Sequence, residues 1–133
     1  MTDIVDGEVL YRYANPAAFP AGQEEVPLSI FNDPEMSCDW QRLQTQPEES
    51  LHVKSGRNAI ISINICDAIR NPVNPKRTNS VVPDWQQKII HDPLLADPTN
   101  PFTPNQAHAL VKGRKKAAVL DALRTNSTLR IID

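Results

Sequence analysis

The sequence is short of the residues that mark several common classes of protein. Its 133 residues include only two cysteines, Cys38 and Cys66, without the close spacing that zinc ribbons and CxxC redox motifs need. No apolar run approaches the length of a transmembrane helix, and no apolar signal segment follows the acidic start. We therefore expect a cytoplasmic protein of bacterial type with two reduced thiols, although a single disulfide between them stays open.

Glycine is also scarce, with four residues against twelve prolines, which favours stiff extended loops over tight glycine turns. The length predicts one domain over residues 1–133, and the 40% apolar and 23% charged fractions are those of a globular chain. The net charge of −2 hides an asymmetry, because residues 112–124 hold five cations and one carboxylate. Such a basic segment is either a contact for nucleic acid or an acidic partner, or a solvated helix face.

Alternating apolar residues predict most of the ordered structure as strands. The clearest strands are residues 8–13 and 58–65, and weaker ones are residues 28–31, 85–91, 107–112 and 128–132. Helices are predicted over residues 38–45, 46–50, 67–70 and 114–124, from capping residues, a proline at a helix start and apolar spacing. Residues 71–83 and 93–104 read as long proline-rich loops. The expected class is α+β, a single domain with a small mixed or antiparallel sheet, two or three short helices and long proline-rich loops.

Polar groups concentrate between residues 91 and 116, around one of these loops. His91, Asp92, Asp97 and His108 are residue types that bind zinc, manganese or iron, but no HxH or HExxH spacing supplies two of them from one element. We therefore predict no metal and no cofactor. The alternative role of these residues is structural, as turn caps and hydrogen-bond partners of loop carbonyls.

Three residues are candidates for catalysis: His108, Arg12 and Asp39. Histidine titrates near neutrality and so suits acid–base chemistry, with Asn105 fixing the neighbouring loop. Arg12 lies mid-strand between two tyrosines, where an inward-facing arginine needs an anionic partner or ligand. The alternatives are that His108 clamps a loop and that Arg12 pairs with Glu8 or Asp39. Cys38 is interpreted as a core residue.

The basic run at the start of the last helix is a second candidate site. Gly113 is followed by three cations, and the free N–H groups of a helix start together with such cations can hold phosphate. Few aromatic residues accompany them, which argues against stacking on single-stranded nucleic acid. Nucleic acid stays a possible partner of residues 112–116. The binding residues predicted here are Lys112, Arg114, Lys115 and Lys116.

Two resemblances extend this interpretation. LYRY, FNDPEMSCDW, PEES, IIHDPL and NQAHALVKGRKK resemble segments of a class of small prokaryotic proteins with no established activity. This resemblance implies that two of the segments meet, so that one cleft is lined by Ser37, Asp39, His91, Asp92, Asn105 and His108. The LYR strand also resembles the opening of ADP-ribosyltransferase-like domains, where Arg12 and Ser29 would help to hold NAD, but no later strand supplies a matching glutamate.

No complete catalytic set is visible, so the leading expectation is an accessory or interaction protein of a bacterial multi-protein system. It would bind a protein partner through the proline-rich loops, which are preorganised, and through the basic helix start. The alternative is a small nucleotide- or nucleic-acid-directed enzyme, toxin-like or ADP-ribosyltransferase-like. In that enzyme Arg12 would hold phosphate and His108 would act as acid or base.

Overall fold

The computed structural model describes residues 2–19, 26–77 and 80–132. Its strands are β1 (Thr2–Asp3), β2 (Val9–Ala14), β3 (Glu35–Trp40), β4 (Ala59–Asn64), β5 (Val73–Asn74), β6 (Ser80–Val81), β7 (Lys88–His91), β8 (His108–Lys112) and β9 (Ser127–Ile131). Its α-helices are α1 (Leu51–Lys54), α2 (Asp67–Arg70) and α3 (Ala117–Thr125). Short 3-10 helices cover Pro16–Ala18, Leu28–Phe31, Pro47–Glu49 and Pro83–Trp85.

Seven strands form one antiparallel sheet in the order β1-β7-β8-β3-β2-β4-β9, and β5 and β6 form a separate small hairpin. The predicted α+β class is confirmed, and the main sheet is antiparallel throughout. Successive side chains of a strand point to opposite faces of the sheet, and the largest apolar cluster lies on one of these faces. None of the helices within the described ranges is long and apolar enough to cross a membrane.

The main core lies on that face of the sheet, under α3, α2 and the Leu28–Phe31 turn. The side chains of Val119 and Leu123 in α3, Ile69 in α2 and Phe31 are fully buried there. They pack against strand residues of one parity, including Leu10, Met36, Cys38, Ile61 and Ala109. A smaller apolar group on the opposite face is formed by Tyr11, Tyr13 and Ile60 with Val53 of α1.

The sheet opens between its two central strands, β2 and β3. Strand β2 pairs with β4 over six residues and β3 pairs with β8 over five, but β2 and β3 share only two pairs, Leu10 with Trp40 and Tyr11 with Asp39. Beyond Tyr11 and Asp39 the two strands separate. In a continuous ladder Arg12 would pair with Cys38, and Tyr13 with Ser37, so these four residues border the opening.

Two predicted elements are wrong. Residues 28–31 were expected as a strand and form a 3-10 helix after Pro27, with Phe31 as its buried residue. Residues 38–45 were expected as a helix, but Cys38, Asp39 and Trp40 end strand β3. Asp33 explains the second error: its carboxylate accepts the N–H of Glu35 at 2.8 Å in a local turn that leads into a strand. Pairing with β8 then outweighs the local helix signal.

Other predicted elements are present with shifted boundaries. The predicted helix over residues 114–124 begins three residues later, at Ala117. The predicted loop over residues 71–83 contains the β5–β6 hairpin, in which Val73 pairs with Val81. The strand expected over residues 85–91 is shorter, because Trp85 closes a 3-10 turn that begins at Pro83. Both cysteines are free, and Cys38 is buried.

Gly113, directly after β8, lies close to Gln86 and Gln87, which come directly before β7. Its φ is +150°, and a Cβ there would lie 2.6 Å from Nε2 of Gln87 and 2.8 Å from the carbonyl oxygen of Gln86. Gln87 cannot easily move, because it is buried and its Nε2 donates to the carbonyls of Trp85 and Arg114. We therefore expect Gly113→Ala to suffer both backbone strain and a clash.

Gly56→Ala is the matched control for this prediction. Gly56 also has a positive φ, +102°, but nothing lies within 4 Å of the Cβ position, so that substitution meets strain alone. We expect Gly56→Ala to lower the free energy of unfolding by about 1–2 kcal/mol. Gly113→Ala should cost about 1–3 kcal/mol more, from overpacking. Urea denaturation measures both, and equal losses would contradict the clash.

Candidate functional site

The opening between β2 and β3 is a cleft with a volume of about 510 Å³, within the range of small-molecule sites. We use "the cleft" for this cavity throughout. Its lining comes from both separated strands, from the α1 region and from the loop that joins β7 to β8. The lining residues are Arg12, Tyr13, Asp33, Ser37, Cys38, His52, Arg57, Leu94, Asn100, Phe102 and His108.

Ser37, His108 and Asp92 form a hydrogen-bonded series at the wall of the cleft. Oγ of Ser37 lies 3.2 Å from Nε2 of His108. Nδ1 of the same ring lies 2.8 Å from the carbonyl oxygen of Asp92 and 3.2 Å from its carboxylate Oδ2. Ser37 is exposed to the cleft, whereas His108 is buried behind it. The series therefore runs from an accessible hydroxyl through an imidazole to a carboxylate.

The register in which the strands pair brings Ser37, His108 and Asp92 next to one another. His108 is opposite Asp39 in the β3–β8 pair, and Ser37 lies two residues from Asp39 on the same face of the sheet. His91 is opposite Ala109 in the β7–β8 pair, so Asp92, the next residue, comes alongside His108. The backbone N–H of Asp92 donates to the carbonyl of His108 at 2.8 Å, which continues the ladder by one step.

The contacts of His108 determine which ring nitrogen carries the proton. Nδ1 faces two acceptors, the carbonyl and the carboxylate of Asp92, and neither of them can donate when the carboxylate is ionised. Nδ1 is therefore the protonated nitrogen of the neutral ring. Nε2 then presents a lone pair to the Ser37 hydroxyl, which donates to it. This is the tautomer that a general base needs toward a serine.

Two arginines contribute positive charge to the cleft. Arg12 crosses the opening: its Nη1 donates to the carbonyl of Ser37 at 2.9 Å and its Nε donates to the carbonyl of Ile30 at 3.2 Å. Arg57 is exposed, and its guanidinium carbon lies 5.0 Å from the centre of the Phe102 ring. One carboxylate, that of Asp33, faces them in the lining, and its Oδ1 accepts the Glu35 N–H.

A column of stacked rings forms one wall of the cleft. The His52 ring is parallel to Tyr13 within 7° at 5.1 Å and to Phe102 within 9° at 4.2 Å, measured between ring centres. Burial lowers the pKa of His52, with Arg57, His108 and Arg12 adding to the effect against the opposing charge of Asp39. His52 is therefore stacked as the neutral ring, and the column connects β2 to the loop that carries Phe102.

Asp39 lies under this column and is almost completely buried. Its Oδ2 accepts the Tyr13 hydroxyl at 2.8 Å, and its Oδ1 accepts the Asn105 amide at 2.7 Å. Burial raises the pKa of Tyr13, and the adjacent Asp39 raises it further, so Tyr13 stays a neutral donor. Because both Asp39 oxygens are engaged by these donors, Asp39 positions Tyr13 and Asn105. Asp39 lines a small neighbouring depression of about 110 Å³ and not the cleft itself.

Cys38 also borders the cleft, but its thiol is not a nucleophile at neutral pH. Burial raises the pKa of the Cys38 thiol to about 12, an effect that Arg12 only partly offsets. At neutral pH the group is therefore a thiol and not a nucleophilic thiolate. This agrees with its interpretation from sequence as a core residue.

The predicted site residues are only partly brought together. Ser37, His108 and Arg12 line the cleft, Asp92 supports His108, and Asn105 lies with Asp39 in the adjacent depression. His91 has other contacts: its Nε2 lies 2.6 Å from the Gln106 carbonyl and its ring lies against Trp40. Within the described ranges, no group of three or more histidine, cysteine or acidic residues is arranged to hold a metal ion.

The predicted basic site at the start of α3 is elsewhere and is partly engaged in internal contacts. Lys112 lies 3.7 Å from a carboxylate oxygen of Glu35. Lys115 turns back so that its Nζ donates to the carbonyls of Val111 and Gly113, both at 2.9 Å. Burial lowers the pKa of Lys115 to about 8. Arg114 and Lys116 remain the exposed cations of this run.

Sequence reasoning missed four residues that shape the cleft: Tyr13, His52, Arg57 and Phe102. Tyr13 was noted only as one of the two tyrosines beside Arg12, and His52, Arg57 and Phe102 lie in short helix or loop segments without a motif. Nothing in their spacing points to one another, since Phe102 is 50 positions from His52 in the chain. Comparisons with protein-family models, with curated proteins and with solved structures found no match to this chain.

The neutral state of His52 predicts a pH dependence of stability. Its pKa in the folded protein lies below the ordinary value of 6.5, so the unfolded chain takes up the proton more readily. His52 therefore lowers the free energy of unfolding as the pH falls below 6.5, and this loss is absent above that value. His52→Phe keeps a ring in the stack and removes the titration. Urea unfolding between pH 4 and 8 should show that the free energy of unfolding falls less steeply toward acid pH in the variant than in the wild type. An identical fall in both proteins would contradict the neutral state of His52.

Proposed function

We propose that this protein is a small enzyme that uses Ser37 as a nucleophile on a small molecule bound in the cleft. The observation that supports the proposal is the series from Ser37 through His108 to Asp92, with hydrogen-bonding distances of 2.8–3.2 Å. Serine is a weak nucleophile unless a base removes its proton, and a base works best when a third group orients it. Ser37 is accessible, His108 is its base and Asp92 is the orienting group.

The reaction class is acyl or phosphoryl transfer to or through a serine. Ser37 Oγ bonds to the electrophilic carbon or phosphorus as its proton moves to Nε2 of His108. The bond to the leaving group then breaks, and the leaving group takes that proton from Nε2. Water, or another acceptor with a hydroxyl, repeats the sequence in the second half and releases Ser37. Asp92 stabilises the imidazolium that forms in each half.

The proposal extends the alternative that the sequence left open, a small nucleotide- or nucleic-acid-directed enzyme. It keeps His108 as acid and base and Arg12 as a contact of the substrate, and it adds Ser37 and Asp92. It gives Asp39 a positioning role. The likeness to ADP-ribosyltransferases is not used in this proposal, because Ser29 lies on a 3-10 helix and not on the second strand that the likeness requires.

The accessory-protein expectation stays a prediction beside this proposal. Of its basic surface, Lys112 and Lys115 have partners within the chain, which leaves Arg114 and Lys116 to meet a partner. Of its proline-rich loops, the one between β7 and β8 turns Phe102 inward onto His52. The cleft offers a more specific arrangement of groups than either surface.

A fluorophosphonate probe tests the nucleophile directly, because it phosphonylates hydroxyl groups that a neighbouring base activates. We expect one covalent addition to the wild-type protein, located at Ser37 by peptide mass spectrometry. Ser37→Ala should abolish it, and His108→Gln should slow it about a hundredfold, the usual contribution of a general base. Circular dichroism verifies that each variant is folded.

Ser29→Ala is the matched control, since Ser29 is also exposed but has no histidine within hydrogen-bonding distance among the described residues. Labelling of Ser29→Ala should equal that of the wild type. A folded wild-type protein that resists the probe, or one labelled equally fast without His108, would overturn the proposal.

A further inference from the structure

We infer that the ligand of the cleft carries an oxyanion, a phosphate or carboxylate group, which Arg12 and Arg57 bind together. As a statement about the substrate, this inference rests on the proposed function. As a statement about binding, it stands on the two arginines alone. Both line the cleft, and within the described ranges neither guanidinium has a carboxylate oxygen inside the 4.0 Å limit of an ion pair.

Arg12 is held by two hydrogen bonds and keeps further N–H donors for a ligand. Its Nε and Nη1 donate to the carbonyls of Ile30 and Ser37, and these are neutral acceptors. A guanidinium has five N–H donors, so those of Nη2 and the second of Nη1 are available to a ligand. The contact with the Ser37 backbone also fixes this charge next to the proposed nucleophile. An anion bound by Arg12 is therefore close to the reacting hydroxyl.

Arg57 is positioned differently, beside an aromatic ring. Its guanidinium carbon lies 5.0 Å from the centre of the Phe102 ring, which stacks on His52, which stacks on Tyr13 of β2. A guanidinium carries a planar fork of N–H donors that matches a phosphate or a carboxylate. Among the described residues the two arginines thus bring two such groups to one cavity without a carboxylate partner.

The electrostatic balance of the lining also favours an anion. Two guanidiniums face the single carboxylate of Asp33, which is exposed at the edge and already accepts a backbone N–H. Burial and the arginines together keep His52 neutral, so it adds no charge of its own. The residues that line the cleft therefore carry one net positive charge, while the carboxylates of Asp92 and Asp39 lie behind its wall and are engaged by His108, Tyr13 and Asn105.

A second depression, of about 280 Å³, adjoins the cleft and shares Arg12, Tyr13 and Arg57 with it. Its other walls come from the Ala14–Asn15 end of β2 and from Ser29 and Ile30. The two arginines are thus where the cavities meet. An oxyanion bound there would lie at the junction of the two cavities, with Ser37 and His108 on the side of the cleft.

Calorimetric titration at low ionic strength tests this inference, with inorganic phosphate and succinate as the two probes. Arg57→Ala is the informative variant, since Arg57 is exposed and its loss leaves the core intact. We expect it to weaken binding of the preferred probe at least about tenfold, because a charge-assisted hydrogen bond contributes that much. Arg57→Lys should restore affinity only in part, because lysine lacks the planar fork.

Arg42→Ala is the matched control, because the Arg42 guanidinium also lies over an aromatic ring, Trp40 at 5.4 Å, but pairs with Glu8 outside the cleft. Arg42→Ala should bind the probe within about twofold of the wild type, well inside the tenfold loss expected for Arg57→Ala. Preference for phosphate or for succinate identifies which oxyanion the ligand carries, and either preference supports the inference.

Two results would overturn it: wild-type protein that binds neither probe, or Arg57→Ala that binds as well as the wild type. The outcome is separable from that of the proposed function. If phosphate or succinate binds through Arg57 while the fluorophosphonate leaves Ser37 unmodified, the anion site stands and the nucleophile proposal fails. If Ser37 is labelled and neither phosphate nor succinate binds, the nucleophile proposal stands and the anion site fails.

Discussion

The buried carboxylate of Asp39 holds the two halves of the main sheet together where they begin to separate. Strands β2 and β3 share only two residue pairs, and the second of these joins Tyr11 to Asp39. From that point Asp39 accepts hydrogen bonds from Tyr13 of β2 and from Asn105 of the loop before β8. A buried carboxylate needs such donors, because losing them in a low-dielectric interior is costly. The opening therefore has a fixed width at its inner end.

The chemistry of the cleft follows from that separation. Because the ladder between β2 and β3 stops at Tyr11 and Asp39, Ser37 has no partner residue in β2. The Arg12 guanidinium donates to the Ser37 carbonyl in place of a ladder partner, and it brings positive charge near Ser37. The column of Tyr13, His52 and Phe102 then closes one side and carries Arg57. The Ser37 hydroxyl, the His108 imidazole and the two guanidiniums thus reach one space from four separate segments.

Much of the fold was predictable because strand periodicity survives in the local sequence. The alternation in residues 58–65 and 107–112 reports burial on one face and predicts β4 and β8 well. The errors occurred where local signals and tertiary pairing compete. Residues 38–40 carry helix-compatible side chains, yet β8 pairs with them and Met36 and Cys38 face the core. Of the candidate site, Ser37, Asp92 and His108 were expected in one cleft from a resemblance, but their hydrogen-bonded order and their place beside Arg12 were not, since register depends on which strands become neighbours.

By itself, the sequence determined the α+β class, the approximate strands and the residue types available for chemistry, because these follow from composition and short-range patterns. Only the tertiary structure decided that Ser37, His108 and Asp92 form one series and that His91 does not join it. The reason is geometric: a shift of one residue in the pairing of β8 would turn His108 to the opposite face of the sheet. The tertiary structure likewise decided that Lys115 folds back on its own backbone, whereas Arg57, in a segment without any motif, faces the cleft.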